Sequence, residues 1–264
     1  LRPGAPGLVR PAVQVGGSKG KGTTCAFLAA LTQAAGRCAG IYTSPHTTTL
    51  LERIRCGGRD IEVAELEPLL RRILAVPGER APTFFEAMTL AAAEWFGQRR
   101  ADLAIYEVGL GGRFDATTAL PVDASIVTTI ELEHTEVLGS TIALIAAEKA
   151  AILRPGGVGF TGTTGEALAV ITAAAREVGA RLHVLGEHFG LHDVVWQRTG
   201  CRATLRLPGG SHHAMFLPDA AAFELPALAL AAAAFAFLLP GVPLHLDPAP
   251  RPALPCRFEV RTDA

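Results

Sequence analysis

Three groups of residues in this 264-residue sequence have the types and spacing to do chemistry. The first is Gly16-Gly17-Ser18-Lys19-Gly20-Lys21-Gly22-Thr23-Thr24, entered from the apolar run Val13-Gln14-Val15. Glycines let backbone N–H groups converge on an anion without Cβ clashes. The start of the following helix leaves four N–H groups unpaired at the positive end of its dipole. Lys21 supplies a point charge for β- and γ-phosphates, and a hydroxyl can sit on magnesium. Strand, Gly-Lys loop and helix together read as a phosphate-binding loop. The usual pattern is G-x-x-x-x-G-K-[S/T], and here Gly22 stands between Lys21 and Thr23. The alternative reading is a tight glycine turn between an ordinary strand and helix.

The second group is Glu107, near the end of the apolar run Ala104-Ile105-Tyr106-Glu107-Val108 and directly before Gly109-Leu110-Gly111-Gly112-Arg113. An acid at the C-terminal edge of a strand beside a glycine loop is where nucleotide sites put a magnesium ligand. The third is Glu131-Leu132-Glu133-His134-Thr135-Glu136, potential ligands at another strand end. Each has a plainer alternative. Glu107 reads equally as a solvated strand-end acid, His134 as a surface histidine, and Arg113 and Asp115 as a pair across their own loop.

Elements to position these groups follow from hydrophobic period and turn signals. Strands are expected over 11–16, 38–43, 104–108, 124–130, 158–161 and 181–185, and helices over 23–35, 62–75, 83–96, 141–152 and 166–178. In the second helix Leu66, Leu69, Leu70, Ile73 and Leu74 lie on one side. Thr83 and Glu86 have capping-box spacing, so Glu86 serves there as a cap. The alternation of strand and helix over residues 11–185 predicts an α/β fold, a mostly parallel sheet with helices on both faces. Past residue 190 the pattern changes. Leu191–Leu207 is strand-like, 209–213 is a turn, and an alanine-rich helix spans 220–239. That helix lacks a polar stripe, which suggests cover from another domain or subunit. The expected organisation is a lead-in over 1–10, a central ATP-binding domain over 11–240, and a linker over 241–264 toward a further domain.

Formal net charge is −1, from 24 basic and 25 acidic residues, which disfavours nucleic-acid binding by a charged face. The longest apolar tract, Leu225–Leu239, falls short of the roughly 18 apolar residues that read as a membrane span. Cys25, Cys38, Cys56, Cys201 and Cys256 are widely spaced, without C-x-x-C. They read as isolated thiols in a reducing compartment, and with no secretory signal visible the expected location is cytoplasmic.

Six ordered blocks resemble the folylpolyglutamate synthase and dihydrofolate synthase branch of the Mur ligase family. The family's V-x-G-T-N-G-K-G-S/T is similar to Val15–Thr23, V-G-G-S-K-G-K-G-T. Its Y-T-S-P-H and E-R-I match Tyr42–His46 and Glu52–Ile54, and its T-x-F-E matches Thr83–Glu86. Its E-V-G-L-G-G-R-x-D-A-T-N matches Glu107–Thr118, with Thr118 for the asparagine. Its G-L-D-H-T-E-x-L-G-x-T matches 131–141, with Glu131 for glycine and Glu133 for aspartate. Its E-K-A-x-I-x-x-P-G matches Glu148–Gly156.

The resemblance implies a P-loop-type Mur ligase central domain. It implies an ADP-forming ligase that phosphorylates a folate or pteroate carboxylate with ATP and couples it to the amine of glutamate. Carried over by position, Gly17, Ser18, Lys19, Gly20, Lys21, Gly22, Thr23 and Thr24 would bind ATP. Thr23, Glu107, His134 and Lys149 would hold magnesium, Lys149 as a carbamate formed with carbon dioxide. Lys21, His134 and Lys149 form the catalytic set, and Ser44 and His46 lie near the substrate. Three further features depart from the family. Lys19 adds a second positive charge to the loop. The family's H-Q-x-x-N falls on Ala221–Leu225, where Ala221, Ala222 and Leu225 offer no side-chain hydrogen bonds. Its P-G-R-x-E falls on Pro255-Cys256-Arg257-Phe258-Glu259. These departures leave two other readings: a diverged, inactive homologue that binds or scaffolds a partner, or a Mur-type ligase for another acid.

Overall fold

The computed structural model describes residues 8–78 and 80–252. The central strand is β1 (Ala12–Gly16), every residue of which is buried. It pairs in parallel with β5 (Leu103–Glu107) on one side and β6 (Ala124–Val127) on the other. Beyond β5 lies β2 (Ala39–Tyr42), and beyond β6 lie β7 (Val158–Thr161) and β8 (Arg181–Val184), all parallel. Two short strands, β3 (Ile54–Cys56) and β4 (Arg59–Asp60), finish the β2 edge antiparallel. The sheet order is β4-β3-β2-β5-β1-β6-β7-β8.

The period-2 rule sorts side chains to the two faces. Val13, Val15, Leu103 and Ile105 enter one core with α1 (Lys21–Ala34) and α7 (Glu224–Leu238). Ala12, Ala104 and Tyr106 enter the opposite core with α2 (Val63–Leu74) and α3 (Phe84–Gln98). A third, smaller cluster lies around α5 (Ile142–Ala150) and α6 (Gly165–Glu177). Helices therefore cover both faces, as the alternation predicts. In α2, Leu66, Leu69 and Ile73 are buried, whereas Leu74, expected on the same side, is exposed in the last turn. No helix among the described residues is long and apolar enough to cross a membrane.

Three expectations are corrected. First, the strand-like stretch after 190 is two strands of a separate antiparallel sheet, β9 (Gly190–Gln197) and β10 (Gly200–Arg206). A third strand, β11 (His212–Pro218), occupies what reads in part as a turn. Second, the alanine-rich helix needs no outside partner. Twelve of its residues are buried under α1, β6, β7 and β9 of this chain. Its small side chains let α1 pack closely, and Leu228, Leu230 and Phe235 each contribute about 1.5–3 kcal/mol by burial. Third, the thiols are not all isolated: Cys38 and Cys56 lie with sulfurs 3.4 Å apart across the β2–β3 edge. Burial, reinforced by Cys38, pushes the Cys56 thiol up to about 12.

The stretch after Pro240 carries no helix or strand up to Pro252, yet it is tied down. Leu246 and Ala249 are buried, and the backbones of both residues bond Phe216 in β11. Residues 253–264, with Cys256 and the segment matched to P-G-R-x-E, lie outside the described residues, as do residues 1–7 of the lead-in.

Candidate functional site

The phosphate loop leaves β1 at Gly16 and enters α1 at Lys21. Gly17 has φ +132, and a Cβ there would stand 2.0 Å from Thr128 Oγ1, so no side chain fits. The loop crest is anchored to the chain following β6. Ser18 N–H donates to Thr129 O at 2.7 Å, Lys19 N–H to Thr129 Oγ1 at 3.1 Å, and Thr128 Oγ1 to Lys19 O at 2.6 Å. The expected strand over 124–130 accordingly ends at Val127, because Thr128 and Thr129 turn to hold the loop. Ser18 Oγ also accepts from Glu131 N–H at 2.9 Å, and Lys19 Nζ pairs with the Glu131 carboxylate. Lys19, the extra charge in the loop, is thus a latch to Glu131 on an exposed surface.

The start of α1 leaves N–H groups that can receive an anion. Its N-cap is Gly20 in a left-handed conformation, no side chain caps the helix, and no acid lies in the first turn. Gly22, Thr23 and Thr24 are buried there. The Lys21 ammonium curls over the loop, donating to Gly17 O at 2.9 Å and Ser18 O at 3.1 Å.

Lys149, near the end of α5, is 2% exposed and reaches the same place. Its Nζ donates to Gly17 O at 3.1 Å and to Glu133 Oε1 at 2.9 Å. Burial lowers the Lys149 ammonium below its ordinary pKa, although Glu133 opposes the shift. Burial alone would raise Glu133, but Lys149, the Ser18 hydroxyl and Lys21 hold it below the ordinary carboxylate value. Two lysines therefore converge on one carbonyl of the phosphate loop, and one acid compensates them.

Glu107 ends β5 at 2% exposure and accepts from Ser44 N–H at 2.9 Å. Ser44 and Pro45 also border an open cavity of about 970 Å³, whose other walls include Arg53, Glu86, the 109–116 loop and Glu148. Its rim carries exposed apolar groups, Phe114 at 91% and Val137 at 69%. His46 is exposed and accepts from Arg53 Nε at 2.9 Å. His134 is exposed too, left-handed at the start of the short helix α4 (Thr135–Leu138). Among the described residues no three His, Cys, Asp or Glu groups converge to hold a metal. Glu86 does cap α3, receiving Thr83 N–H at 2.7 Å, and it pairs with Arg80 as well.

The 109–118 loop is not held as its sequence suggests. Arg113 and Asp115 do not pair with each other. Arg113 Nε donates to Glu148 at 2.9 Å, beside Lys149. Asp115 accepts the N–H groups of Gly109 and Thr117, both at 2.9 Å, and of Leu110 at 3.2 Å. Gly112 packs so closely on α5 that a Cβ would stand 2.7 Å from Glu148 O. Sequence reasoning missed three side chains beneath this loop: Gln14, Thr117 and Arg154. The available signal was Gln14 itself, a polar residue inside an otherwise apolar central strand.

No family model matches the chain. A probable bifunctional folylpolyglutamate synthase/dihydropteroate synthase of Haloferax volcanii is 46% identical over 173 residues, 63% of this chain and 20% of that protein. The dihydrofolate synthase/folylpolyglutamate synthase of Escherichia coli is 36% identical over 204 residues, 75% of this chain and 48% of that protein. Among solved structures, an FPGS–AMPPCP complex superposes with a TM-score of 0.86 at 28% identity over 98% of this chain and 68% of its own. The chain is a homologue of the folylpolyglutamate and dihydrofolate synthases. A bifunctional folylpolyglutamate synthase/dihydrofolate synthase with Mn, AMPPNP and L-glutamate bound is also similar, with a TM-score of 0.81 and 32% identity over 97% of this chain and 61% of that one. The chain spans from about a fifth to about half the length of these two curated synthases.

Proposed function

We propose that this chain carries out, or forms the ATP-binding part of, an ADP-forming amide ligation. In it glutamate is joined to a folate or pteroate carboxylate. The carrying observation is the convergence of Lys21 and Lys149 on Gly17 O beside an uncapped helix start, one strand away from Glu107 and the cavity. A carboxylate in that cavity attacks the γ-phosphorus of ATP, forming an acyl phosphate and releasing ADP. The glutamate amine then attacks the acyl carbon and phosphate leaves. Negative charge grows on the transferring phosphoryl group, and cations preorganised around it lower the barrier.

In this reading Gly17, Ser18, Lys19, Gly20, Lys21, Gly22, Thr23 and Thr24 form the ATP cradle. The donor set suits a magnesium ion carried on phosphate oxygens rather than held in an all-protein cage. Thr23 and Glu107 would supply hard oxygens for it, and His134 and a carbamylated Lys149 would attend a second ion. Magnesium held there would neutralise negative charge that develops on the phosphate oxygens. Burial of Lys149 favours the neutral amine that carbon dioxide requires, and Glu133 must release it first. Ser44 and the apolar rim at Phe114 and Val137 face the aromatic part of the acid, with His46 acting through Arg53. The chemistry and the absence of C-x-x-C fit a cytoplasmic enzyme. The domain division, with an ATP-binding body over 11–240, belongs to the same reading.

Titration calorimetry of Mg-ATP into the chain, followed by ADP release with pteroate or folate and glutamate, tests it. ADP formation that needs both acid and glutamate supports ligation. ATP binding without coupled turnover on any pteridine acid favours a ligase for another acid. Absence of ATP binding favours the scaffold reading, which the lack of side-chain donors at Ala221, Ala222 and Leu225 supports.

A further inference from the structure

Gln14 sits in the middle of β1 at 0% exposure, three positions before Gly17. A buried amide costs free energy unless its groups are bonded. Its Nε2 donates to the hydroxyls of Thr117 and Thr118, each at 2.8 Å, and its Oε1 accepts from Arg154 Nη2 at 3.0 Å. Both hydroxyls hand their hydrogen onward. Thr117 Oγ1 donates to Asp115 Oδ1 at 2.5 Å, and Thr118 Oγ1 donates to Gly112 O at 2.6 Å. Asp115 Oδ2 then holds the Gly109 and Leu110 N–H groups. A hydroxyl has one hydrogen, so the network runs one way, from Gln14 outward.

The geometry points to Gln14 as a positioning residue that fixes the cavity floor relative to the phosphate loop. It acts through Thr117, Thr118 and Asp115, and Arg154 orients its amide. Gly109, Leu110, Gly112 and Asp115 line the cavity, and Gln14 rides on the strand that delivers the phosphate cradle. Within the proposed ligation, on which this inference rests, the acid must meet the γ-phosphate in line. A misplacement of about 1 Å can cost about 10²-fold in rate. Thr118, where the family has asparagine, joins the network through its hydroxyl.

The test uses the full 264-residue chain and three variants. Gln14→Glu keeps shape but cannot donate, Thr117→Val removes the hydroxyl at constant shape, and Thr117→Ser restores it. Amide exchange at Gly109 and Leu110 should accelerate about tenfold in Gln14→Glu and Thr117→Val, the scale of one lost hydrogen bond. It should return to the wild-type rate in Thr117→Ser. Pteroate affinity should fall with the exchange protection while Mg-AMPPCP affinity stays within about twofold, because the cradle uses backbone groups. Unchanged exchange in both breaking variants, failure of Thr117→Ser to rescue, or an equal fall in both affinities would overturn the inference. If Gln14→Glu fails to fold, the Thr117 pair decides alone. If the wild-type chain binds Mg-AMPPCP but no pteridine acid, the ligation reading fails, and the exchange data still judge the positioning role.

Discussion

The phosphate loop and the 109–118 loop both follow a central strand, yet they differ in what holds them. The phosphate loop is shaped by its own glycines and pinned by backbone and hydroxyl contacts to residues 128–131. Its ligand-facing groups are N–H donors at a helix start, present whatever the side chains. The cavity loop is held by side chains from distant segments: Gln14, Glu148 and, through Gln14, Arg154. A backbone cradle suits a ligand of fixed chemistry such as a triphosphate. A floor supported by side chains can be re-aimed by substitution.

The sharpest way to break this comparison is at Lys21, the side chain that the proposed ligation places on the phosphates. Lys21→Ala removes a cation that no neighbour replaces, since Lys149 is tied to Glu133 and Lys19 to Glu131. Turnover should drop about 10²–10³-fold, the scale of losing one preorganised charge at a phosphoryl-transfer site. Mg-ATP binding should weaken in calorimetry while pteroate binding to the cavity persists. Equal loss of both ligands would mean that the two loops are one unit.

How much of this was legible in the sequence follows the same division. The cradle, its strand and its helix are a local pattern, and residues 15–24 carry it alone. The parallel sheet follows from period and alternation, and the Thr83–Glu86 cap from a spacing of three. The supports of the cavity loop are not local. Gln14 meets Thr117 across 103 positions and Arg154 across 140, and no spacing rule links them. The same holds for Cys38 and Cys56, which strand pairing brings together. The alanine-rich helix misleads because apolarity all round marks burial without naming what buries it.

The next prediction attacks the cavity loop where it touches α5. Gly112→Ala sets a Cβ 2.7 Å from Glu148 O and 3.2 Å from the Lys149 Cα, both backbone atoms that cannot swing away. Overpacking of this kind costs about 1–3 kcal/mol, so a denaturant midpoint should fall accordingly. A wild-type midpoint would show that the loop slides freely on the helix.

Glu133→Gln probes the one acid shared by the lysines. It removes the negative charge facing the Lys149 ammonium, which at 3% side-chain exposure is left with neutral acceptors, Gly17 O and an amide oxygen. Breaking a fully buried pair costs about 3–5 kcal/mol, and the 27% exposure of Glu133 reduces that to about 1–3. The pH dependence has a definite sign. Glu133 is held below the ordinary carboxylate value, so its stabilisation is present above that value and fades as pH falls through the depressed one. Wild-type and variant stability should therefore converge in acid. A constant gap across the acid range would rule out the pair as its source.

The smallest effect belongs to Glu86, which caps α3 and borders the cavity without holding the loop. Its side-chain bond to Arg80, with the Thr83 backbone, brings its carboxyl down to about 2. Glu86→Gln should lower the melting temperature slightly at neutral pH. The gap should close between about pH 4.3, the ordinary glutamate value, and pH 2, where the wild-type carboxylate is itself protonated. Pteroate affinity should change less than in Gln14→Glu, because Glu86 borders the cavity but bonds no group of the 109–118 loop. A drop in pteroate affinity at constant melting temperature would transfer Glu86 from the frame of the cavity to its binding surface. The side-chain support of that cavity would then extend to α3 as well as β1 and α5.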